Sequence, residues 1–271
     1  MQIREKVAVL TGAGSGIGRA LALLMAEQGC HLALVDINPA PLEETAILAK
    51  AHGVRVSEHP MDVSRREAIA DLPDAVLTEH GQVDLLINNA GVALGGHFEQ
   101  VSTENFDWLM AINFDAVVCM TRVFLPLLRE RPAARIVNVS SLFGLITPAG
   151  QTAYCASMFA VRGFSHALRL ELQETSVGVT VVHPGGIATG IAASARLPDG
   201  VTDTEKDREM ARVNKLLRMP PSRAADIILE GIRNDRARVL VGNDARLLAW
   251  LERLMPVNYW RLIPGLARKS G

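Results

Sequence analysis

The chain has 271 residues, 49% of them apolar, which is ample for a buried core in one large α/β domain or two small ones. Its formal net charge is −1 and it carries no basic run or Lys/Arg stripe, which disfavours a nucleic-acid partner. Cys30, Cys119 and Cys155 match neither a disulfide framework nor a zinc pattern and read as reduced thiols of a cytoplasmic protein.

The start, Met1 to Lys6, runs straight into an apolar strand without a signal-peptide h-region. No uninterrupted apolar stretch reaches the roughly 18 residues of a membrane span. Short apolar runs rich in β-branched residues recur at Val7–Leu10, Leu32–Val35, Val54–Val56, Val83–Ile87, Arg135–Val139, Val179–Val182 and Arg238–Val241, most followed by a segment of helical period. Pro39 follows Asn38 as an N1 proline follows an N-cap, and Ser64-Arg65-Arg66-Glu67 has capping-box spacing. Gly29, Gly53 and Gly81 stand just before strands, where helices end in a left-handed residue. Strands alternating with helices predict a Rossmann-type, doubly wound parallel sheet with both faces covered. Without a repeat or a Gly/Ser linker, the reading is a single domain over residues 1–243 with a C-terminal helical extension, 244–271. The charged, weakly periodic stretch from Gly190 to Pro221 breaks the rhythm.

The first βα turn reads Thr11-Gly12-Ala13-Gly14-Ser15-Gly16-Ile17-Gly18. Glycine there lets the backbone turn tightly and approach a pyrophosphate, whose charge meets free N–H groups at the helix N-terminus. The second strand ends in Asp36, about 20 residues on, where a carboxylate accepts from adenosine ribose hydroxyls and repels a 2′-phosphate. Neither Ser15 nor Ile37 supplies a basic group, so the expected cofactor is NAD, with NADP the lesser alternative.

With these residues in view, the chain resembles a short-chain dehydrogenase/reductase over roughly residues 5 to 190. The turn resembles the family's Thr-Gly-x3-Gly-Ile-Gly fingerprint, and Asp62-Val63 resembles the pair that contacts adenine. Asn88-Asn89-Ala90-Gly91 resembles the Asn-Asn-Ala-Gly motif, and Asn113 the helix asparagine of the catalytic tetrad, which ordinarily holds a water. A helix asparagine bonding local backbone is the plainer alternative for Asn113. Ser141 stands thirteen residues before Tyr154, the family's spacing, with Ser140 as its competitor. Pro184-Gly185, Ile187 and Thr189 resemble the loop that orients the nicotinamide, where Tyr154 also borders the cofactor. The resemblance implies that Tyr154 exchanges a proton with the substrate oxygen while Ser141 stabilises its developing charge. No metal is implied, and the seven histidines read as ordinary polar residues.

The departure is Met158. The family pattern is Tyr-x3-Lys, whereas here Tyr154-Cys155-Ala156-Ser157-Met158 places a methionine one helical turn beyond the tyrosine. A lysine there bonds the nicotinamide ribose and lowers the tyrosine pKa. Methionine preserves the helix but brings neither donor nor charge, and an unperturbed tyrosine is only roughly one part in a thousand ionised at pH 7. Arg162, one turn further along, is not expected to reach the ribose.

Val92, Ala93, Leu94, Leu142, Phe143, Leu145 and Ile191 flank the site and suggest a small hydrophobic secondary alcohol or ketone, with 190–221 as the lid. Gln151 offers a polar substrate contact or a helix cap. The family resemblance implies a dimer or tetramer built by the helices corresponding to Ser102–Arg131 and Gln151–Thr175. The extension carries Trp250, Tyr259 and Trp260 beside a stripe of Leu247, Leu248, Leu251, Leu254 and Met255, and its charge is +3. It suits packing on its own domain or a partner subunit, ahead of a peripheral membrane contact, because Pro256 and Pro264 break its apolar face.

Overall fold

The apolar runs form seven strands, β1 (Val7–Thr11), β2 (His31–Asp36), β3 (Val56–Pro60), β4 (Leu85–Asn88), β5 (Ala134–Val139), β6 (Val177–Pro184) and β7 (Arg238–Val241). The computed structural model describes residues 1–198 and 216–262. Strand order is β3-β2-β1-β4-β5-β6-β7 and every pairing is parallel, so the chain starts mid-sheet, winds to one edge and returns to wind to the other. The helices are α1 (Gly16–Glu27), α2 (Pro39–Lys50), α3 (Arg66–His80), α4 (Thr103–Met110), α5 (Ala116–Arg129), α6 (Thr152–Glu171), α7 (Pro221–Arg233) and α8 (Asn243–Leu254).

The period-two alternation of each strand feeds two core layers. Ala8 and Leu10 of β1 pack with Leu21, Met25, Leu42 and Ile228 on the α1, α2 and α7 side. Val9 points the other way, to Ile69, Val76, Met120, Phe124 and Leu168 under α3, α5 and α6. This two-sided cover is why β1 and β4 are buried along their whole length.

Two local expectations shift. The third strand begins where the predicted Val54–Val56 run ends and continues through Ser57, Glu58 and His59. As the edge strand of the sheet it is only half covered, so polar residues belong in it and a search for apolar runs misses it. Ser64 does not cap α3, which starts at Arg66 with Arg65 at its N-cap and no side-chain cap bond. The Ser64 N–H instead donates to Asp62 Oδ1 at 2.9 Å, a turn ahead of the helix. Pro39 is at N1 with Asn38 at the N-cap, although the Asn38 side chain makes no cap bond. Gly29, Gly53 and Gly81 have φ of 80°, 77° and 74°, the left-handed values expected.

The segment predicted as one helix over Ser102–Arg131 runs from Thr103 to Arg129 but contains a π turn at Ala111–Asp115. Among the described residues it is the one helix long and apolar enough to cross a membrane, with mean hydropathy 1.6. Ala116, Met120, Phe124 and Leu128 lie in the core, which makes it a core helix of the sheet.

Candidate active site

The sheet delivers its site residues to the C-terminal ends of the central strands, where the connections leave for opposite faces and a crevice opens. In the first turn, a side chain at Gly18 would overlap the Gly12 carbonyl oxygen, and one at Gly12 would press on Ala90 Cα at 2.9 Å. Gly16 adopts φ 54° and brings the turn against Thr189, whose Cγ2 lies 3.1 Å from where a Gly16 Cβ would stand. Ser15 is the N-cap of α1 but makes no side-chain cap bond, and the first turn of α1 holds no acidic residue. Bare main chain and uncapped N–H groups at a helix start fit a pyrophosphate.

Asp36 ends β2 beside this turn. Its Oδ2 accepts from Gly14 N at 2.8 Å and its Oδ1 from Asn38 N at 2.9 Å, so the carboxylate is held against the glycine turn. Ile37, next along, is 60% exposed. Asp62 is engaged with Ser64 N, while the Val63 side chain is turned into the core with Ala33 and Val35.

The Asn-Asn-Ala-Gly motif is held by the threonine that opens the glycine turn, a residue with no role evident in the sequence. Thr11 Oγ1 accepts from both Asn89 N and Ala90 N at 3.0 Å, and Asn89 Nδ2 returns to the Thr11 and Gly12 carbonyls at 3.0 and 3.2 Å. The two turns are thereby locked together, with Gly91 beside Asn113 Oδ1. Asn113 sits in the π turn and is buried. Its Oδ1 accepts from Val92 N at 2.9 Å, and its Nδ2 donates to Val92 O at 3.0 Å and to Ser157 Oγ at 3.2 Å. Ser157 donates in turn to the Tyr154 carbonyl at 2.8 Å. Asn113 is therefore no local backbone contact of its own helix; it ties the loop after β4 to the helix that carries Tyr154.

Ser141 and Ser140 separate cleanly. Ser140 Oγ is buried and donates to the Met158 carbonyl at 2.9 Å, so it fastens α6 to the end of β5. Ser141 starts a short 3₁₀ turn, Leu142–Gly144, and its Oγ accepts from Phe143 N at 3.1 Å. Burial raises the Tyr154 pKa, and a hydrogen bond with Ser141 pulls partly against that rise. The Tyr154 ring meets Phe143 edge-on at 6.0 Å between centroids and packs in a cluster with Leu94, Leu109 and Ala153. Met158 is one turn away and 4% exposed. Arg162 does not replace the missing cation: its Nη1 donates to Gly144 O at 3.2 Å and its guanidinium lies 5.7 Å from the Phe159 ring centre.

His183, read from sequence as ordinary, is a second residue that only the fold reveals. It is fully buried on β6, and its Nδ1 pairs with Ser141 O at 2.9 Å. Since a carbonyl only accepts, Nδ1 carries the proton, and Nε2 is left without a partner among the described residues. Burial, aided by the charges of Arg162 and Arg238 and by His166, pushes its pKa down to about 4 despite the Ser141 bond, so the ring is neutral.

On the substrate side the apolar set divides. Leu94, Leu142 and Leu145 are core residues, whereas Val92, Ala93, Phe143 and Ile191 are half-buried. Gln151 is the N-cap of α6 but does not cap it with its side chain. Of the expected lid, residues 199–215 lie outside the described residues. Its first base is strapped over the β4 loop: Arg196 N donates to Ala93 O and Gly95 N to Arg196 O, both at 3.0 Å, while the Arg196 guanidinium stacks 3.6 Å from the Trp108 ring centre. Its second base is pinned to the loop after β6, where Ala188 N donates to Met219 O at 2.8 Å.

The extension folds back onto the domain over residues 244–262, and residues 263–271, Pro264 among them, lie outside the described residues. Ala245 and Tyr259 are buried with Leu142, Leu145 and Ile146, and Leu248 and Leu251 pack against them. The Tyr259 hydroxyl accepts from Thr147 N at 2.7 Å and shares a bond with Thr147 Oγ1 at 2.9 Å, holding the loop that follows Ser141. Leu247, Trp250 and Leu254 form the opposite, exposed face.

Known proteins share this arrangement. A model of the short chain dehydrogenase family matches residues 6–199. A Mycobacterium tuberculosis protein named oxidoreductase SadH is 42% identical over 262 residues, 95% of this chain and 94% of its own. A Burkholderia phymatum short chain dehydrogenase/reductase solved in complex with NAD superposes with a TM-score of 0.87 at 29% identity, covering 94% of this chain and 95% of that one. A metagenomic short-chain oxidoreductase in complex with NADP has a TM-score of 0.72 at 28% identity, over 89% of this chain and 98% of that one. Family motif, strand order and near full-length identity agree, and the chain belongs to the short-chain dehydrogenase family of oxidoreductases.

Proposed function

We propose that the protein binds NAD(H) in preference to NADP(H) and interconverts a hydrophobic secondary alcohol and its ketone, with the acid–base step weakened by Met158. The observation that carries this reading is the meeting of Tyr154, Ser141 and the Asn113 network at the ends of β4 and β5, beside the bare glycine turn. The bound nicotinamide supplies the hydride donor or acceptor. Gly12, Ser15, Gly16, Ile17 and Gly18 present main-chain N–H groups to the pyrophosphate, and Asp36 accepts from the adenosine ribose. Tyr154 gives or takes the proton at the substrate oxygen, and Ser141 Oγ donates to that oxygen as charge develops on it. Val92, Ala93, Phe143 and Ile191 give the crevice an apolar wall, which favours an apolar substrate.

Cofactor preference is tested by calorimetric titration. NAD(H) is expected to bind more tightly than NADP(H), because the Asp36 carboxylate repels a 2′-phosphate and neither Ser15 nor Ile37 supplies a basic group. Asp36→Ala should weaken NAD(H) and narrow the difference. Tighter binding of NADP(H) by the parent protein overturns the assignment. A second reading, a non-catalytic nucleotide-binding protein, is favoured by Met158 alone.

A further inference from the structure

We infer that Asp244 is a positioning residue of the cofactor site: from the first turn of α8, its carboxylate holds the Gly185-Gly186 turn of the nicotinamide loop. The inference rests on reading Pro184–Thr189 as that loop.

After β6 ends at Pro184, the backbone has to reverse so that Thr189 returns over the glycine turn at Gly16. Main-chain partners hold most of the reversal. Gly185 N donates to Val241 O at 2.9 Å, Ile187 N to Gly185 O at 3.0 Å, Ala188 N to Met219 O at 2.8 Å and Thr189 N to Ile187 O at 2.9 Å. From Gly185 to Thr189, the N–H of Gly186 is the one met by a side chain, Asp244 Oδ2, at 2.7 Å.

The space around the carboxylate is shaped for it. A side chain at Gly185 or at Gly242 would overlap the Asp244 carboxylate, whereas one at Gly186 would overlap the Leu216 carbonyl oxygen. Gly242 also has φ 110°, a conformation that side-chain-bearing residues rarely adopt. Two glycines from two connections, Gly185 and Gly242, thus form a slot in which one carboxylate fits.

An acidic residue in the first helical turn commonly serves its own helix through the macrodipole. Asp244 instead reaches out of α8, whose N-cap is Gly242 and has no side-chain cap bond. A dipole role depends on charge, whereas a positioning role depends on an acceptor oxygen at the right place. Asparagine keeps the oxygen and removes the charge.

The experiment titrates full-length parent, Asp244→Ala and Asp244→Asn with NADH and with ADP-ribose, which keeps the adenosine and pyrophosphate but lacks the nicotinamide. In Asp244→Ala, NADH should weaken by about tenfold, the scale of one charge-assisted hydrogen bond. ADP-ribose affinity should not move, and Asp244→Asn should recover most of the loss. Gly185→Ala, which crowds the carboxylate without changing any residue of α8, should reproduce the alanine pattern and covers the case in which Asp244→Ala misfolds. An unchanged ratio of NADH to ADP-ribose affinity in Asp244→Ala and Gly185→Ala overturns the inference, as does an Asp244→Asn variant as weak as Asp244→Ala. A parent that binds ADP-ribose as tightly as NADH removes the nicotinamide reading of the loop itself, a distinct failure that takes the inference with it.

Discussion

Met158 and Tyr154 share one face of α6, and the chemistry of the site turns on the pair. Burial raises the Tyr154 pKa, so its ionised form appears only above the pH at which an ordinary tyrosine titrates. A lysine at 158 opposes that rise with its charge. Met158→Lys is therefore expected to raise turnover on a suitable alcohol by at least about 100-fold, the scale of a tuned acid–base group. The pH optimum for oxidation should move down as the tyrosine pKa falls. Steady-state rates across pH with NAD saturating check both, and an inactive variant across a broad alcohol panel favours the non-catalytic reading. His183 gives a second prediction at this scale. Its folded pKa of about 4 is depressed below the ordinary 6.5, so the unfolded chain binds the proton first as pH falls. Stability contributed by the neutral ring is complete above about 6.5 and is lost on the way down to about 4, in total on the order of 3 kcal/mol. His183→Asn keeps a donor for Ser141 O and cannot titrate, so denaturant midpoints measured between these pH values should fall less steeply than in the parent.

Among the elements, the C-terminal extension and the π turn changed most between sequence and structure. The extension read as an amphipathic segment with three candidate surfaces to lie on. In the fold, one face of α8 and Tyr259 cover the loop from Leu142 to Thr147, directly after Ser141. Deleting residues 256–271 removes Tyr259 but leaves Asp244. Substrate affinity or oligomeric state should change while NAD(H) binding persists, which parallel titrations and sedimentation of the truncated protein would reveal. Tyr259→Phe isolates the hydroxyl and should cost about 1 kcal/mol in denaturant unfolding, since Thr147 N loses its acceptor. The π turn was invisible in sequence because Ala111-Ile112-Asn113-Phe114-Asp115 has ordinary helical composition. Its effect is positional: Asn113 spans to Val92 on one side and Ser157 on the other.

At the level of the whole molecule, the long helix Thr103–Arg129 carries half-buried apolar side chains, Phe114 and Val118 among them, beside its core face. Phe114 of this segment and Phe164 of α6 meet edge-on at 6.2 Å, which joins the two helices into one broad face. We propose that a second copy covers it, and that the exposed Leu247, Trp250 and Leu254 stripe is likewise a subunit contact ahead of a membrane one. Sedimentation at micromolar concentration should show a dimer or tetramer. A monomer contradicts the assembly, and flotation of the full-length protein with anionic liposomes, lost in the truncated form, would reassign the stripe to a membrane surface.

What the sequence determined by itself was whatever depends on spacing along the chain. The strand rhythm, the glycine turn, Asp36 at a strand end and the interval from Ser141 to Tyr154 are short-range patterns, and so is the loss of lysine at Met158. The tertiary structure alone decided which side chains far apart in sequence meet. Thr11 on Asn89 and Ala90, Asn113 on Val92, His183 on Ser141 and Asp244 on Gly186 are contacts between separate strand ends and loops. A parallel sheet brings those ends to one edge through long crossovers, so no local period encodes the meeting. The same holds for which apolar residues beside the site became core and which stayed open: Leu94 and Leu142 were closed over by α4, α6 and α8, and composition cannot say where a later helix will land.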